Sequence, residues 1–431
     1  MIPAVELRPA AEIKALREAK LRELMTYLQA HSSFYQRHFR THGIDPADIR
    51  HLEDLHRIPV TEKHDLQQYN DDFICVPRRE IADFVTTSGT LGSPVTFALT
   101  DADLDRLAYN EAVSFACAGV QKGDVIQLMT TIDRRFMAGL AYFLGARLLG
   151  AAIIRTGAGI PELQWDSILK FKPDYIIVVP SFLLKLLAYA EKNGIDYQNC
   201  GIKGAICIGE ALRNQDFTPN TLGRKIGEKW DLPLYSTYAS TEMSTAFTEC
   251  SAQRGGHEHP ELIITEILDA DNQPVRPGEI GELTVTTLGT EAMPLLRFKT
   301  GDLVQAHNTP CPCGRTTARL GPVLGRKKQM VKYKGTTLYP PALFDLLNDF
   351  DEIENYIVEF YTNELGTDEI LLKIGIKQPT HTFLPKLRDR FRAKLRVLPQ
   401  FEFCDIGEIN RLRFPKMSRK PVLLIDRREG V

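Results

Sequence analysis

Residues 175–190 have the sequence YIIVVPSFLLKLLAYA. Its first five residues form an apolar run rich in β-branched side chains, which is typical of a buried strand. Residues 181–190 then read as a helix, so a strand passes directly into a helix. A similar run stands at residues 125–129, and short strands alternate with helical patterns from about residue 84 to 300. This alternation predicts an α/β fold with layers built on largely parallel sheets.

The length of 431 residues exceeds what one hydrophobic core usually spans, so we expect two or more domains. A large, multi-layered N-terminal α/β domain is expected at residues 1–327. A smaller α+β domain is expected at residues 328–431, because the charged string at 325–329 precedes a shorter mixed pattern. Residues 8–40 are predicted to be helical, and residues 277–285 predict a turn that leads into a strand.

Composition excludes several classes of protein. The formal net charge of −2 argues against a nucleic-acid surface as the main function. The first residues lead into a charged helical pattern rather than a signal segment, and no apolar run approaches the ~18 residues that a membrane span needs. The cysteines lie far apart except for Cys311 and Cys313, which is no disulfide framework. We therefore expect a cytoplasmic enzyme with no nucleic-acid or membrane partner.

The first chemical signal is the loop VTTSGTLGSP at residues 85–94. Small hydroxyl side chains interleaved with glycines let a loop curl, so that amides and hydroxyls point at one anion such as a polyphosphate. It is not a Walker loop, because no Gly-Lys-Ser/Thr closes it. On this segment alone, a plain Ser/Thr/Gly surface turn is the alternative. The candidate phosphate ligands are Ser88, Gly89, Thr90 and Gly92.

This loop resembles the Thr-Ser-Gly-Thr-Thr-Gly-x-Pro signature of adenylate-forming enzymes, although Leu91 replaces a threonine and Ser93 a common lysine. Residues 34–46 and 58–66 look like the N-terminal segment of phenylacetate–CoA ligases. The resemblance covers about residues 20–428 and includes six motifs in the family's order. It implies an ATP-dependent ligase that activates an aryl or arylacetic acid as an acyl-adenylate, using Mg²⁺ and coenzyme A. Dimers are common among similar proteins.

The resemblance also assigns the nucleotide contacts. An aromatic ring can stack on adenine, and a hydroxyl beside a carboxylate can bind a phosphate and its Mg²⁺. Taken singly, these residues also fit a strand-to-helix turn, a strand edge and a turn-capping aspartate. The assigned residues are Gly209, Glu210 and Ala211 on the adenine side; Tyr238, Ala239 and Ser240 around the base; Thr241 at the α-phosphate; Glu242 as the Mg²⁺ ligand; and Asp302 with Arg326 at the ribose.

Residues 415–428 are similar to the C-terminal end of the family and place Lys420 on its catalytic lysine. A lysine there stabilises the negative charge that grows as pyrophosphate leaves. The family rotates its C-terminal domain between the two half-reactions, which implies a mobile C-terminal domain here. Its pivot falls at Lys328 and Gln329, where relatives carry two aspartates. A solvated basic tail is the alternative for Lys420.

A structural zinc site is expected from Cys250, His257, Cys311 and Cys313. Thiolates and imidazole are the ligands that zinc prefers, and four protein ligands leave no open position for catalysis. Several phenylacetate-ligase-like proteins carry a similar arrangement. His259 is the rival of His257, and buried cysteines beside a surface histidine are the alternative to a metal site.

By the same resemblance, the acid binds beside Phe136, Gly139 and Pro180. Phe136 can stack on an aromatic acid, although a phenylalanine in the core is equally compatible with the pattern. Three functions remain open. They are an acyl- or aryl-CoA ligase, an adenylating enzyme that loads a carrier-protein thiol or an amine, and a degenerate nucleotide-binding homologue without turnover.

Overall fold

The computed structural model describes residues 2–87, 94–364, 366–376, 382–415 and 421–428. The chain divides into two compact units. The first comprises Met1–Pro219, Gly223–Thr300 and Val304–Pro322, and the second comprises Asn220–Leu222, Gly301–Leu303 and Val323–Val431. The domain boundary expected at residue 327 stays a prediction.

The α-helices before residue 323 are α1 (Ala10–His31), α2 (Ser33–His42), α3 (Lys63–Gln68), α4 (Asp101–Cys117), α5 (Met137–Leu149), α6 (Pro161–Phe171), α7 (Pro180–Asn193) and α8 (Thr221–Lys229). The strands are β1 (Asp83–Thr86), β2 (Thr96–Leu99), β3 (Val125–Leu128), β4 (Ala152–Arg155), β5 (Tyr175–Val178), β6 (Gly204–Ile208), β7 (Leu234–Ser240), β8 (Thr245–Glu249), β9 (Gly256–His257), β10 (Ile263–Leu268), β11 (Ile280–Thr287), β12 (Phe298–His307) and β13 (Arg319–Leu320).

One large mixed sheet has the strand order β10-β11-β12-β13-β9-β8-β7-β6-β5-β3-β4, and β1 and β2 form a separate antiparallel pair. The strands from β7 to β4 in this order pair in parallel. These parallel strands come from the part of the sequence in which strands and helices alternate. The pairings of β8 with β7 and β9, and of β13 with β9 and β12, are antiparallel.

Helices cover both faces of the parallel strands, as the apolar run at residues 175–178 predicts. Successive strand residues point to opposite faces. Ile176 and Val178 therefore pack in a core with α6, α7 and α8. Tyr175 and Ile177 pack in another core with α4 and α5. Burial on both faces explains why this strand has no polar side of its own.

The predicted helix at residues 8–40 is two helices. Ser32 lies between α1 and α2 in an extended conformation, and its hydroxyl accepts a hydrogen bond from the backbone N–H of Tyr35 at 3.3 Å. The same hydroxyl donates to the carbonyl of Asp72 at 3.3 Å. A serine that caps a helix start satisfies backbone donors that would otherwise be unpaired, which is why the chain changes direction here.

The second unit contains β14 (Gly325–Arg326), β15 (Val331–Tyr333), β16 (Thr336–Leu338), α9 (Pro340–Asn348), β17 (Ile353–Thr362), β18 (Asp368–Ile376), α10 (Phe383–Leu395), β19 (Gln400–Phe403), α11 (Ile406–Arg413) and β20 (Leu424–Asp426). Its four-stranded sheet has the order β19-β18-β17-β20 and packs on a core that includes Phe360, Leu387 and Phe391. This is the mixed α+β pattern that the sequence predicts.

Among the described residues, no helix combines the length and the apolar character that crossing a membrane requires.

Candidate functional site

The parallel strands end at one edge of the large sheet. Their last residues are paired in register, as in Leu128 with Ile177 and Ile208 with Thr237. Ligands of open α/β sheets bind beyond the carboxyl ends of such strands. The predicted acid and nucleotide residues of the first unit come after or at these ends: Phe136 and Gly139 after β3, Pro180 after β5, Gly209, Glu210 and Ala211 after β6, and Tyr238, Ala239, Ser240, Thr241 and Glu242 at the end of β7.

Glu210 joins two of these strand ends. Gly209 has φ +79°, a left-handed conformation that a glycine adopts without strain, and turns the chain after β6. The carboxylate of Glu210 then accepts hydrogen bonds from the backbone N–H of Ser181 at 2.8 Å and from its hydroxyl at 2.9 Å. Ser181 lies in the first turn of α7, where backbone N–H groups lack helical partners and favour a negative charge.

The end of β7 presents the predicted base and phosphate residues. Tyr238 is paired across the strands with Phe247, and the two rings are stacked with centroids 6.0 Å apart and an interplanar angle of 26°. Phe247 is buried, whereas Tyr238, Thr241 and Glu242 are partly exposed. A buried phenylalanine under the tyrosine fixes one face of its ring, which suits a base on the other face.

The segment after β3 approaches α5 closely. A Cβ atom at Gly139 would lie 2.2 Å from the carbonyl oxygen of Thr131, so this glycine lets the helix contact the loop. Arg134 and Arg135 both have φ +58°, and Phe136 is the N-cap residue of α5. Phe136 is partly exposed rather than buried, so it is not a full member of the core.

The described flanks of the phosphate loop are held at three points. The N–H of Thr87 donates to the carbonyl of Val95 at 2.9 Å, and the N–H of Val95 donates to the hydroxyl of Thr87 at 3.0 Å. The N–H of Thr86 donates to the carbonyl of Arg135 at 3.0 Å, so the loop starts beside the segment that leads to Phe136. The ligands expected at Ser88, Gly89, Thr90 and Gly92 lie outside the described residues.

In the second unit, Asp302 and Arg326 are direct neighbours across paired strands. The Nε atom of Arg326 donates to a carboxylate oxygen of Asp302 at 3.0 Å. Asp302 is buried and Arg326 is partly exposed. The arginine orients the carboxylate, and carboxylate oxygens are acceptors suited to a pair of hydroxyl groups.

Lys420 lies outside the described residues, but both sides of its segment are described. The N–H of Val422 donates to the carbonyl of Arg413 at 2.8 Å. Arg428 binds Asp426 through two nitrogens at 2.9 and 2.7 Å. It also donates to the carbonyl oxygens of Lys328 and Met330, at 3.2 and 2.8 Å. The strand after Lys420 is thereby attached to the predicted pivot.

The four predicted zinc ligands form a cluster in the first unit. Their ligand atoms all lie within 4.8 Å of one another. The sulfur atoms of Cys250 and Cys311 are 3.5 Å apart, and the sulfur of Cys313 is 3.4 Å from Nε2 of His257. Nδ1 of His257 contacts the hydroxyl of Thr317 at 3.2 Å, which leaves Nε2 facing the thiols. Histidines that bind metals commonly make such a contact through the other ring nitrogen.

The charge states of this cluster fit a metal site. Burial, together with the nearby Arg315 charge, lowers the pKa of His257 to about 3, so the imidazole is in its neutral, metal-binding form. Burial raises the pKa of Cys250 to about 12, so its thiol stays protonated unless a cation binds it. Nη1 of Arg315 is 3.6 Å from the sulfur of Cys313 and provides a positive charge beside it.

His259, the rival ligand, has another partner. Its Nδ1 is 2.6 Å from a carboxylate oxygen of Glu6, whose other oxygen accepts a hydrogen bond from Nε of Arg315 at 2.5 Å. All three side chains are buried. The backbone carbonyl of Glu6 accepts a further bond from the N–H of Thr316 at 2.8 Å. The N-terminal segment is therefore attached to the loop that carries Cys311 and Cys313.

Comparisons with known proteins match this architecture. The profile of the AMP-binding enzyme family matches residues 15–291. The phenylacetate–coenzyme A ligase of Thermus thermophilus is 32% identical over 382 residues, which cover 88% of this chain and 84% of that protein. The phenylacetate–coenzyme A ligase of Escherichia coli is 28% identical over 430 residues, which cover 94% of each protein.

Solved structures agree. A 2-hydroxyisobutyryl-CoA ligase in the postadenylation state, in complex with R3-HIB-AMP, has a TM-score of 0.85 and 27% identity over 98% of this chain and 91% of that chain. The same ligase with 2-HIB-AMP and CoA in the thioesterification state has a TM-score of 0.71. The chain therefore belongs to the AMP-binding enzymes and, among them, to the phenylacetate–CoA ligase family. It is an AMP-forming acid–CoA ligase that works through an acyl-adenylate.

Proposed function

We propose that this enzyme activates an aryl or arylacetic acid and transfers the acyl group to coenzyme A. The observation that supports the proposal is that the predicted acid and nucleotide residues of the first unit follow or end the parallel strands at their carboxyl ends. Two further features support an aromatic acid: Phe136 is partly exposed at the start of α5, and the curated relatives from Thermus thermophilus and Escherichia coli are phenylacetate–coenzyme A ligases.

In the first half-reaction, a carboxylate oxygen of the acid attacks the α-phosphorus of ATP, and the bond to the departing pyrophosphate breaks. We assign Thr241 to the α-phosphate, Tyr238 to the adenine face, and Asp302 with Arg326 to the ribose. Ser88, Gly89, Thr90 and Gly92 are assigned to the outer phosphates, and Lys420 stabilises the negative charge that develops during departure. Mg²⁺ bound at Glu242 would neutralise part of the phosphate charge.

In the second half-reaction, the sulfur of coenzyme A attacks the acyl carbon, AMP leaves, and the thiol proton passes to solvent. Lys420 is assigned to adenylation, and one set of residues cannot serve both half-reactions well. We therefore propose that the C-terminal domain, residues 328–431, rotates at Lys328 and Gln329 between the two steps. The contacts of Arg428 with the carbonyl oxygens of Lys328 and Met330 would keep the strand after Lys420 attached to this pivot during the rotation.

The cluster of Cys250, His257, Cys311 and Cys313 is proposed to hold one structural zinc ion. Its donor set, three thiols and a neutral imidazole whose other nitrogen contacts Thr317, matches what zinc requires. Four protein ligands close the site, so it stabilises the fold and takes no part in the reaction. We also propose that the enzyme acts in the cytoplasm and as a homodimer.

The decisive experiment is acid-dependent exchange of pyrophosphate into ATP, measured over a panel of aromatic and aliphatic acids. Exchange with phenylacetate or a related acid, and thioester formation once coenzyme A is added, would support the proposal. Exchange without thioester would indicate a carrier-protein thiol or an amine as acceptor. A chain that binds ATP and exchanges with no acid would be a degenerate homologue.

A further inference from the structure

Arg106 is a buried cation on α4 that the proposed chemistry does not use. Within the described part of the chain, its hydrogen bonds all go to neutral oxygens. They reach the carbonyls of Leu288 at 2.7 Å, Ser244 at 2.6 Å and Leu262 at 2.6 Å, and the hydroxyl of Thr245 at 3.3 Å. Burial lowers the pKa of Arg106 to about 10, which still leaves the guanidinium charged at neutral pH. A buried charge is costly unless it is well bonded, so these contacts fix it firmly.

The carbonyl of Ser244 belongs to the turn that carries the predicted phosphate and Mg²⁺ residues. Thr241 and Glu242 are partly exposed, whereas Met243 and Ser244 are buried. Ser244 has φ +48°, a conformation that is strained for a serine. Its hydroxyl donates to the carbonyl of Thr241 at 3.2 Å, and the hydroxyl of Ser240 accepts from the N–H of Met243 at 3.3 Å. These contacts link the partly exposed residues of the turn to its buried residues. The position of Thr241 and Glu242 therefore depends on how Ser244 is held.

The same face of α4 holds the chain at two further places. Asn110, four residues after Arg106, accepts a hydrogen bond from the N–H of Ala246 at 3.0 Å. Asp103, three residues before Arg106, accepts from the N–H groups of Glu291 at 2.7 Å and Ala292 at 2.9 Å. We call Asp103, Arg106 and Asn110 the α4 polar stripe. Its hydrogen bonds hold Ala246, just beyond the turn, and Glu291 and Ala292 in the segment after β11.

We propose that Arg106 is a positioning residue for adenylation: by holding the carbonyl of Ser244, it fixes the turn that presents Thr241 to the α-phosphate and Glu242 to Mg²⁺. The inference rests on the function proposed above. It explains why the core keeps a guanidinium rather than an apolar side chain at this place. Since a misplacement of about 1 Å can cost ~100-fold in rate, an anchor of this kind has a measurable effect on the reaction.

The variant Arg106→Lys tests the proposal through the Mg²⁺ dependence of ATP–pyrophosphate exchange. Lysine keeps the charge but lacks the planar fork that reaches several carbonyls at once. We expect the Mg²⁺ concentration for half-maximal exchange to rise about tenfold, together with the KM for ATP, while the KM for the acid stays unchanged. The milder variant Ser244→Ala removes only the hydroxyl contact with Thr241 and should shift the same quantity in the same direction.

The matched control is Arg319→Lys. Arg319 is also buried and bonds neutral oxygens, of Arg254 at 2.7 Å and of Thr309 at 2.9 and 2.8 Å, none of which belongs to the turn at residues 241–244. The variant Arg319→Lys should lower the thermal unfolding temperature without changing the Mg²⁺ dependence of pyrophosphate exchange.

If Arg106→Lys and Ser244→Ala lose activity with a Mg²⁺ dependence equal to that of the wild type, Arg106 only packs the core and the inference is wrong. If Arg106→Lys does not fold, the result with Ser244→Ala decides. A wild-type enzyme without any exchange would instead overturn the proposed function itself, and the inference with it.

Discussion

The carboxylate of Glu210 is bound to both hydrogen-bond donors of Ser181, the backbone N–H at 2.8 Å and the hydroxyl at 2.9 Å. This contact joins the turn after β6 to the first turn of α7. The first is predicted to lie on the adenine side and the second beside the acid. A single carboxylate thus connects the two halves of the proposed adenylate site.

The variant Glu210→Ala should weaken acid and ATP binding together. It leaves the first turn of α7 without its charged acceptor, and we expect a loss of about 1–2 kcal/mol in the free energy of unfolding. The KM values for the acid and for ATP should both rise, because the turns on either side lose their connection. Glu191→Ala is the control. Glu191 lies on α7, and its carboxylate pairs with the exposed Lys229. A change in stability alone, with both KM values intact, would contradict the connecting role.

The variant Lys420→Ala should separate the two half-reactions. It should abolish pyrophosphate exchange, because the charge that develops in that transition state loses its counterion. Thioester synthesis from a supplied acyl-adenylate should be retained. Lys416→Ala, in the same basic segment, should affect neither step. Equal loss of both half-reactions in Lys420→Ala would refute the assigned role.

Protein purified without chelator should contain about one zinc ion per chain. Cys311→Ser should abolish zinc binding and lower the free energy of unfolding by about 4 kcal/mol where free zinc is a thousandfold above its dissociation constant. Cys404→Ser, which changes a cysteine outside the cluster, should retain the zinc. Full zinc content in Cys311→Ser, or rapid alkylation of Cys311 and Cys313 in the untreated protein, would remove the site.

A pH dependence of stability is expected from Glu111. This residue is buried on α4, where Gly145 lets α5 approach so closely that a Cβ there would lie 2.3 Å from the Cβ of Glu111. Burial raises the pKa of Glu111 to about 8 from an ordinary value of 4.5. Between these values the folded state holds a proton that the unfolded state has released, so stability is greatest at low pH and falls as the pH rises.

The variant Glu111→Gln is neutral in both states and lacks this dependence. Relative to the wild type, its free energy of unfolding should therefore rise by about 1.4 kcal/mol per pH unit between about pH 5 and pH 8, as measured by urea unfolding. Glu23→Gln, which changes an exposed residue of α1, should follow the wild type at every pH. Parallel curves for Glu111→Gln and the wild type would show that Glu111 is ionised in the folded state.

Local patterns predicted most of the fold. The strand at 175–178, the helix after it, the strand at 125–128 and the strand that begins at Ile280 follow from apolar spacing that one segment contains. The break at Ser32 was missed, because apolar periodicity continues across it and the cap depends on a contact with Asp72, 40 residues later.

Only those residues of the candidate site that belong to a recognisable motif could be predicted from the sequence. Asp302 and Arg326 were recognised separately, and their pairing across strands needed the structure. No motif marks Arg106, because its partner Ser244 is 138 residues away and offers a backbone carbonyl, which every residue has. Three polar residues on one face of a helix, as in the α4 polar stripe, are the sequence feature that could have indicated it.

The attachment of Glu6 to Arg315 has a consequence for synthesis of the chain. The two residues are 309 positions apart, and the ribosome adds roughly 5–20 residues per second, so Glu6 waits about 15–60 s before its partner exists. During that time a carboxylate destined for the interior remains in water, and the N-terminal segment cannot settle in its final place. Completion of the first unit therefore awaits the translation of the Cys311–Cys313 loop, however early its first helices form.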